Sequence, residues 1–599
     1  MKALLDWLDH RTGGKKLLHE ALFENVPGGA RWRYVWGSTL TFCFSLQVIT
    51  GLFLWLAYSP GSQTAWESVY FIQHEMWGGW FLRGLHHFTA HAMTVLLVLH
   101  LMQVVIDGAY KAPREMNFWS GLVLLLLVLA LSLTGYLLPW DQKGFWATRV
   151  ATSIAAITPV IGPALQKLVV GGSEYGHHTL TRFFALHAGV IPGAIIACIV
   201  AHIYLFRRHG LTPKEPRKNP DAAFWPDQVF RDAVACLAVL VVILFFIVRY
   251  HGADLGAPAD PAEQFPAARP EWYFLFLFQL LKYFPGGTEI IGAMIIPTLL
   301  MLVLAAMPFV GRWQLGHRFN VGFLWVLLGG IGWLTYLAVN EDRQRPEYLL
   351  AVQTADRDAA RVIVLAQSPT GIPATGAVTL LRQDAWTQGP KIFGQICSTC
   401  HRFDGHNGSG GQPKDPISAS DLKGFASREW LAGLLDPERI AGPHYFGGTK
   451  FKEGKMVKFV QEEVTGFSAP QKADLQKAIV ALSAEAALTA QRHLDQRDAV
   501  IIAEGRKLLG GEALGCVECH KFHGAGEDAT GPDLTGFGSR EWLIALISDP
   551  AEERFFGKRN DRMPAFGAAK MRTALEISLV ADWLRGDWYE PTRAKGGAP

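Results

Sequence analysis

Two short motifs place a pair of cysteines directly before a histidine. They read Cys397-Ser-Thr-Cys400-His401 and Cys516-Val-Glu-Cys519-His520. Each motif supplies two thiols for thioether bonds and an imidazole for an axial bond to iron, which is the spacing of covalent haem attachment. A zinc site would need a further pair of ligands at suitable spacing, and the other three cysteines lie in apolar stretches. The motifs therefore predict two covalent c-type haems.

A methionine downstream of each motif could complete the iron coordination, because a soft thioether is a usual sixth ligand and raises the reduction potential. After the second motif, Met563 lies in the run Asn560-Asp-Arg-Met563-Pro-Ala-Phe566. After the first, Met456 occupies the equivalent place, but an intervening insertion leaves His444 as a rival. We expect Met563 and Met456 to be the sixth ligands.

Four histidines lie within apolar stretches at matched intervals. His86 and His100 are fourteen residues apart, and His187 and His202 are fifteen apart. On helices that rise about 1.5 Å per residue, each pair presents two imidazoles on roughly one face. Ionisable groups inside a membrane are uncommon and costly, which favours metal ligation over packing. Two such helices could hold two non-covalent haems, whereas His87 and His91 lack depth-matched partners and are expected to pack or form hydrogen bonds.

Glycines repeat the fourteen-residue interval in the neighbouring apolar stretches, as Gly37 with Gly51 and Gly121 with Gly135. Glycine inside a helix costs about 1 kcal/mol relative to alanine. Its use is to let a bulky group approach the backbone. Close packing of small residues is the alternative reading. The matching interval favours a haem edge beside these glycines.

The elements that must position these residues are mostly membrane helices. Half of the 599 residues are hydrophobic and 18% are charged, which indicates a chain partly embedded in lipid. The net charge of +3 is too small to suggest a nucleic-acid surface. Runs of about 20 apolar residues cross a bilayer. Seven are predicted: Trp36–Leu56, Trp80–Ile106, Phe118–Leu138, Phe183–Phe206, Ala233–Val248, Ile290–Val310 and Phe319–Val339.

The charges of the connections predict an orientation. The N-terminal segment, the connection with Lys111 and Arg114, and residues 207–218 are basic, whereas the connection 58–79 has no lysine or arginine. Basic connections stay in the cytoplasm. The N-terminus is therefore expected to be cytoplasmic, without a signal peptide, and seven spans place everything after Val339 outside. The long outer connections 139–182 and 249–289 are candidate walls of a site.

The C-terminal part is soluble and duplicated. Residues 343–385 are rich in proline, glycine and charge, which predicts a linker. Beyond it, the run Asp421-Leu-Lys-Gly-Phe-Ala-Ser-Arg-Glu-Trp430 recurs as Asp533-Leu-Thr-Gly-Phe-Gly-Ser-Arg-Glu-Trp542. An offset of this size indicates a duplicated domain.

Residues 30–340 resemble cytochrome b of the quinol-oxidising cytochrome bc complexes. The matching runs are Gly79-Trp-Phe-Leu-Arg83, Gly135-Tyr-Leu-Leu-Pro-Trp-Asp-Gln142, Thr179-Leu-Thr-Arg-Phe183 and Pro270-Glu-Trp-Tyr273. The resemblance implies a mainly α-helical chain with a transmembrane bundle and two small all-α cytochrome c domains. The expected divisions are a cytoplasmic segment 1–30, a dihaem four-helix bundle 31–222, a three-helix region with the quinol loop 223–342, the linker 343–385, and c domains 386–490 and 491–599.

The resemblance also implies roles for individual residues. His86 and His187 would bind the outer b haem, and His100 and His202 the inner one. Arg83 and Arg114 would face haem propionates. At the outer quinol site Glu271 would accept a proton, since a carboxylate among aromatic rings and prolines is partly desolvated. The remaining candidates are Tyr136, Trp140, Tyr273 and Phe278 around the quinol ring, and Arg207 and Asp232 at an inner quinone site, where an interfacial charge is an equal alternative.

The function implied is that of a quinol:cytochrome c oxidoreductase subunit in a bacterial inner membrane. One electron from quinol would pass to a separate Rieske iron-sulfur protein, and the other through the b haems to the inner quinone site. The expected assembly is a homodimeric complex in contact with lipid, with a cytochrome c or a terminal oxidase as acceptor. The rivals are a dihaem anchor that connects another dehydrogenase to the quinone pool, and a haem sensor or carrier.

Overall fold

The computed structural model describes residues 2–212, 220–526, 529–560 and 562–591. It is mainly helical, as the sequence predicts. The chain divides into two compact units: Met1–Ala360 with Ala374–Val378, and Arg361–Pro373 with Thr379–Pro599. Parts of the basic connection 207–218 and of the predicted c domain 491–599 lie outside the described residues.

Seven helices among the described residues are long and apolar enough to cross a membrane, which confirms the predicted number. In chain order the first to seventh spans are Trp32–Trp55, Gly79–Ile106, Glu115–Tyr136, His177–His209, Asp227–Tyr250, Ile291–Val310 and Gly316–Arg343. The fifth begins at Asp227 rather than at Ala233, because its first turns satisfy their own polar groups. There Gln228 Nε2 donates to Asp232 Oδ1 at 2.8 Å, and both side chains are buried.

The other elements of the first unit are short. Its helices are Lys2–Thr12, Gly14–Leu22, Ala65–Tyr70, Gln142–Ala156, Gly162–Val170 and Leu275–Lys282, with 3-10 turns at Trp32–Tyr34 and Trp272–Phe274. π-Helical turns occur at Phe71–Glu75, Leu186–Val190 and Ile291–Ile295. Strands Asn25–Val26 and Ala222–Ala223 pair antiparallel, with Asn25 opposite Ala223.

The first four spans enclose a shared apolar core. Phe44 of the first span, Met93 of the second, Val128 of the third and Ile195 of the fourth are all buried in one cluster. Burial of such side chains against each other, rather than against lipid, requires close packing of the helices. The four predicted histidine ligands are therefore carried by two helices of one bundle.

The two long outer connections are tied to each other. Asp141 caps the helix Gln142–Ala156 by accepting from the Gly144 amide at 2.8 Å, and its other oxygen accepts from the Gly256 amide at 3.1 Å. The Gln142 amide in turn donates to the Ala257 carbonyl at 2.8 Å. A buried carboxylate that serves two loops fixes their relative position.

The segment 343–385, which the sequence predicts to be a linker, is partly helical. It contains the helices Pro346–Ala366 and Val378–Arg382, and the first of these runs through the boundary between the two units. Proline suits the first position of a helix, and the following residues hold neither glycine nor proline until Ser368-Pro369. The composition that suggested a linker is confined to the short stretch after this helix.

The second unit contains both repeats. Its helices are Ala385–Gln395, Arg428–Leu434, Lys455–Lys458, Ala469–Glu485, Arg492–Arg497, Ala499–Leu509, Arg540–Ser548 and Ala574–Arg585. 3-10 turns lie at Cys397–Thr399, Thr489–Gln491, Glu512–Leu514, Cys516–Glu518 and Gly557–Arg559, and a π-helical turn at Phe459–Val464. The duplicated Ser-Arg-Glu-Trp run starts a helix in each repeat, since Ser427 and Ser539 accept from the amides of Trp430 and Trp542.

Candidate functional site

The second and fourth spans place the rings of His86 and His187 opposite each other in the bundle. Their ring centroids are 6.2 Å apart, with the planes at 70°. Two imidazoles that bind one metal ion from opposite sides stand at about this separation, because each nitrogen lies about 2.0 Å from the metal. Farther along the same helices, His100 and His202 line one cavity. The four side chains thus form two levels inside the bundle.

A π-helical turn explains why the two histidine intervals differ by one residue. The turn Leu186–Val190 contains His187, whereas the second span is α-helical from Gly79 to Ile106. A π turn inserts one residue relative to an α-helix. The fifteen-residue interval from His187 to His202 therefore matches the fourteen-residue interval of the second span.

Oxygen atoms of the first and third spans fix three of the four imidazoles. Each contact engages Nδ1: His86 with Thr50 Oγ1 at 2.9 Å, His202 with Ser120 Oγ at 2.8 Å, and His187 with the Leu131 carbonyl at 3.1 Å. A histidine held through Nδ1 presents Nε2 to a metal in a fixed orientation. The Nδ1 atom of His100 is buried and has no hydrogen-bond partner in the described part of the chain.

The four interval-matched glycines lie directly against the four histidines. A side chain at each glycine would approach the imidazole Cε1: from Gly135 to His187 at 2.5 Å, from Gly51 to His86 and from Gly121 to His202 at 3.3 Å, and from Gly37 to His100 at 3.9 Å. The group that needs this space in the structure is thus the imidazole itself. This accounts for the shared interval without reference to the haem edge.

A cavity of about 400 Å³ surrounds the inner pair of histidines. Buried polar atoms without a partner among the described residues gather at its wall, namely Tyr34 Oη, His100 Nδ1, Asn117 Oδ1 and Thr212 Oγ1. Buried polar atoms are normally satisfied, so a cluster of exceptions indicates a bound group. An apolar cavity with a few polar atoms is also the usual form of a cofactor or quinone site.

Arg207 lies at this cavity with a partner that the sequence did not suggest. Its Nη2 is 3.5 Å from Oε2 of Glu24, which also lines the cavity. Burial raises the pKa of Glu24, and the positive charge of Arg207 partly opposes that shift. Sequence reasoning missed Glu24 because this contact joins the N-terminal segment to the end of the fourth span.

Asp232 is held at the same cavity by two hydrogen bonds. Ser38 Oγ donates to its Oδ2 at 2.7 Å, and Gln228 donates to its Oδ1. The side-chain oxygen Oε1 of Gln228 also accepts from the Arg31 amide at 2.8 Å. The two inner-site candidates, Arg207 and Asp232, therefore line one cavity together with His202.

At the outer end, Glu271 lies near His91, a histidine for which the sequence predicted packing or a hydrogen bond. Nε2 of His91 lies 3.9 Å from Oε2 of Glu271, and the Trp272 indole donates to Nδ1 of His91 at 2.9 Å. Because Nδ1 accepts, the neutral ring carries its proton on Nε2, toward the carboxylate. An ionisable residue inside a span is by itself a signal of function, and that signal could have identified His91.

The aromatic candidates of the outer site occupy different positions. Tyr136 donates its hydroxyl to the carbonyl of Arg269 at 3.2 Å, next to Pro270 and Glu271. Burial raises the pKa of Tyr273, and the charge of Glu271 acts in the same direction, so its phenol remains a donor. The Trp140 ring is buried against Phe145 at 5.4 Å between centroids and belongs to a packed core.

The two arginines expected at haem propionates are bound to backbone carbonyls. Arg83 donates to Ala253 at 2.6 Å and to Asp254 at 2.7 Å. Arg114 donates to His209 at 2.9 Å and to Gly210 at 3.1 Å, and it lines the inner cavity. In this arrangement each guanidinium anchors a connection at the end of a span.

Both Cys-x-x-Cys-His motifs hold their histidine in the same way. Nδ1 of His401 lies 2.8 Å from the Ser420 carbonyl, and Nδ1 of His520 lies 2.7 Å from the Pro532 carbonyl. The two carbonyls precede the equivalent aspartates of the repeat. Each ring therefore has Nε2 left for an axial iron bond.

The methionine candidates lie in unlike surroundings. Met456 lies in the helix Lys455–Lys458 and packs against the largest core cluster of the second unit. The Met563 carbonyl accepts from Asn560 Nδ2 at 2.9 Å, in a loop before the last helix. The backbone carbonyl of His444, the alternative ligand, accepts a hydrogen bond from the Asp421 amide at 3.0 Å. The ring Nδ1 of His444 lies 3.8 Å from Oδ2 of Asp421, the residue that follows Ser420.

Comparison with known proteins identifies the family. The description "Cytochrome b(N-terminal)/b6/petB" matches residues 91–258, and "Cytochrome b(C-terminal)/b6/petD" matches residues 258–355. Cytochrome b of Cereibacter sphaeroides is 32% identical over 300 residues, which cover 48% of this chain and 67% of the relative. The chain belongs to the cytochrome b family.

Two further relatives are cytochrome b subunits of larger complexes. The menaquinol:cytochrome c reductase cytochrome b subunit of Geobacillus thermodenitrificans is 38% identical over 220 residues, covering 35% of this chain and 98% of the relative. The cytochrome bc complex cytochrome b subunit of Chlorobaculum thiosulfatiphilum is 33% identical over 355 residues, covering 58% and 79%. A solved structure titled "Hyperthermophilic respiratory Complex III" matches with a TM-score of 0.50 and 26% identity, over 59% of this chain and 95% of that one.

Membership of the cytochrome b family implies b-type haems, a quinol substrate and a multi-pass membrane protein within a complex of the Complex III type. The residues of this chain fit two b haems. The facing pair His86 and His187, the inner pair His100 and His202, and the unsatisfied polar atoms around the inner cavity meet the needs of bis-imidazole sites.

Proposed function

We propose that this chain is the cytochrome b/c subunit of a quinol:cytochrome c oxidoreductase. Membrane quinol is oxidised at the outer site around Glu271, and quinone is reduced at the inner site around Arg207 and Asp232. The observation that carries the proposal is the contact of Glu271 with His91, which also accepts a hydrogen bond from Trp272, beside a bundle that carries two levels of paired histidines. Oxidation and reduction on opposite faces translocate protons.

The outer site handles the protons of the substrate. Glu271 is largely buried, with 14% of its side chain exposed, so it can accept a proton from quinol and release it outward. His91 directs Nε2–H toward the carboxylate and stabilises its charged form. Tyr273 and Tyr136 present phenol groups on the same side, and Trp140 supports the loop from within the core.

The b haems supply one-electron transfer across the membrane when bound. The chain's part is to hold and orient their ligands: Thr50, Ser120 and Leu131 fix the imidazoles, and Gly51, Gly121 and Gly135 leave room for them. Arg83 and Arg114 lie at the two ends of the bundle and are available to propionates. Rigid support of this kind keeps the ligand geometry unchanged between redox states.

At the inner site the chain supplies charge and a proton. Arg207 and Asp232 line the cavity around His202; Arg207 can donate a hydrogen bond to a quinone oxygen, and Asp232 can accept one from a quinol hydroxyl. Glu24, whose pKa burial raises, is a proton donor beside Arg207. Quinone reduction needs protons as well as electrons, and this group of side chains meets that need.

The two c-type motifs extend the electron path. Cys397 with Cys400, and Cys516 with Cys519, would hold two covalent haems, with His401 and His520 as axial ligands, and Met456 and Met563 would supply the two sixth ligands. A separate Rieske protein takes one electron of each quinol and passes it to these haems. A cytochrome c or a terminal oxidase is the final acceptor, and the complex is a homodimer in the bacterial inner membrane with the c domains in the periplasm.

The substitution Glu271→Gln tests the outer site. It removes the proton acceptor with little change of shape, so quinol-dependent c-haem reduction in the purified complex should fall roughly 10²-fold. The matched control is Glu289→Gln, a carboxylate of the same connection that accepts only from the Gly287 amide at 2.8 Å. Equal rates in Glu271→Gln and wild type, or purification without a Rieske protein, would contradict the proposal.

A further inference from the structure

The two repeats of the second unit do not pack as two independent domains. A domain that folds alone buries its first helix in its own core. Here the first helix of repeat one, Ala385–Gln395, packs against the last helix of repeat two, Ala574–Arg585. The last helix of repeat one, Ala469–Glu485, packs against the first helix of repeat two, Ala499–Leu509. Each terminal helix thus has its partner in the other repeat.

A glycine lies at each of the two contacts between a first helix and a last helix. The equivalent sequences Gln388-Gly-Pro-Lys391 and Glu504-Gly-Arg-Lys507 place Gly389 and Gly505 at the same point of the two first helices. A side chain at Gly389 would collide with Trp583, and one at Gly505 would approach Ala481 Cβ to 2.7 Å. Such close approach of two backbones needs a residue without Cβ.

Ion pairs join the two helices of the second contact, Ala469–Glu485 and Ala499–Leu509. Lys477 Nζ lies 3.1 Å from Oε2 of Glu504, and Arg506 lies 2.9 Å from Oε1 of Glu485. Glu485 also accepts from the Gly536 amide at 3.1 Å. These contacts join the last helix of repeat one to the haem-motif half of repeat two.

Each haem-attachment motif faces the helix of the other repeat. Cys397 packs against the cluster that contains Leu579 and Trp583, and the Trp583 ring lies 4.3 Å from that of Phe403 between centroids. Cys516 packs against the cluster that contains Leu475 and Ile479. The histidine side of each site stays within its own repeat, through the carbonyls of Ser420 and Pro532.

The segments that carry the two methionines pack against the other repeat, as the last helices do. Met456 and Phe459 pack against the same cluster as Cys516, and Phe459 is 3.6 Å from the place of a side chain at Gly515. On the other side, Arg572 is close enough to Cys397 for an electrostatic interaction. The Arg572 amide donates to the Phe566 carbonyl at 3.0 Å, which folds the Met563 loop onto this segment.

We propose that the repeats exchange their methionine-bearing halves, so that Met456 completes the site of Cys516, Cys519 and His520, and Met563 completes the site of Cys397, Cys400 and His401. This inference rests on the proposed function, in which both motifs carry haem. Each c-haem site is then composite, with its histidine from one repeat and its thioether from the other. The two repeats form one cooperative unit and not two carriers in series.

Chemical cross-linking of the native holoprotein tests the exchange without any haem readout. A zero-length carbodiimide should join Lys477 to Glu504, which are 37% and 52% exposed, and mass spectrometry should find that link within one chain. Lys477→Gln should abolish the link and serves as the control. Links from Lys391 to Asp474 or Glu485, which would join the first and last helices of repeat one, would overturn the exchange.

Single-haem variants test the ligand assignment. In Cys397→Ala/Cys400→Ala protein, Met456→Leu should lower the reduction potential of the remaining c haem and allow carbon monoxide to bind, and Met563→Leu should do neither. In Cys516→Ala/Cys519→Ala protein, the effects of the two methionine substitutions should be reversed. The opposite pattern would overturn the proposal. If these variants do not assemble, the cross-link decides, whereas wild-type protein without covalent haem would refute the proposed function instead.

Discussion

At the scale of single residues, polar atoms inside the bundle orient the imidazoles of the histidines. Thr50 and Ser120 each engage one Nδ1, and the glycines beside the rings leave room where a side chain would push the imidazoles aside. His100 differs, because its Nδ1 has no partner among the described residues and its glycine neighbour leaves more room. The outer level is therefore built more tightly than the inner one.

This difference predicts unequal effects of two equivalent substitutions. Gly135→Ala brings a methyl group to 2.5 Å from His187 Cε1, so the ring must turn and the outer b haem should be lost. Gly37→Ala leaves 3.9 Å to His100 and should retain both haems. Haem-to-protein stoichiometry and redox-resolved difference spectra of the purified proteins measure the outcome. Loss of the inner haem in Gly37→Ala, or two intact haems in Gly135→Ala, would contradict this account.

Glu24 predicts a pH dependence at the inner site. Burial raises its pKa, so it stays protonated to higher pH than an ordinary glutamate, and its ability to donate is lost as the pH rises through the raised value. The rate of b-haem oxidation by quinone should therefore fall on the alkaline side of that value. Glu24→Gln should lower the rate and flatten this limb, whereas Glu174→Gln, an exposed control, should leave the pH profile unchanged.

At the scale of elements, the apolar runs were sufficient to predict the seven spans, because length and hydropathy decide whether a helix crosses a bilayer. The fifteen-residue interval between His187 and His202 is evident in the sequence, but the reason for its extra residue is not. The π turn at Leu186–Val190 is a change of hydrogen-bond register, which leaves no trace in an apolar pattern. The partner of Glu271 was missed for a related reason, since His91 meets it only through a loop that returns to the second span.

The seventh span holds the quinol loop through a buried ion pair. Arg269 donates to both oxygens of Asp342 at 2.7 Å, with 16% and 11% of the side chains exposed. Asp342→Asn leaves the guanidinium without its counter-charge and should destabilise the loop by roughly 3 kcal/mol. Quinol KM should rise and the loop should become protease-sensitive. Arg312→Gln, which breaks an exposed pair with Glu115, should change stability by less than about 1 kcal/mol.

At the scale of the whole molecule, the odd number of spans predicts that the two ends of the chain lie on opposite sides of the membrane. Protease added to intact spheroplasts should release the covalent c haems and leave the b haems in the membrane. Inside-out vesicles should retain both until they are opened with detergent. Release of c haem from sealed inside-out vesicles would reverse the proposed orientation.

The duplication was evident from the repeated Ser-Arg-Glu-Trp run, but the pairing of its helices was not. The repeat shows which segments are equivalent, but it does not say which first helix packs against which last helix. What selects the pairing is the specific fit of Gly389 to Trp583 and of Lys477 to Glu504, which arises only in the folded protein. The boundary drawn at residue 490 describes the gene duplication, whereas the folded unit spans both repeats.

The pairing of Ala385–Gln395 with Ala574–Arg585 also sets an order of assembly. The first of these helices leaves the ribosome long before the second, and contacts between distant segments form slowly because a long loop must close. The hairpin of Ala469–Glu485 and Ala499–Leu509 can form at once, since its halves are neighbours in the chain. In the proposed composite arrangement, the site of Cys397 and Cys400 is thus synthesised first and closed last, and it would stay open for haem attachment until the helix Ala574–Arg585 reaches it.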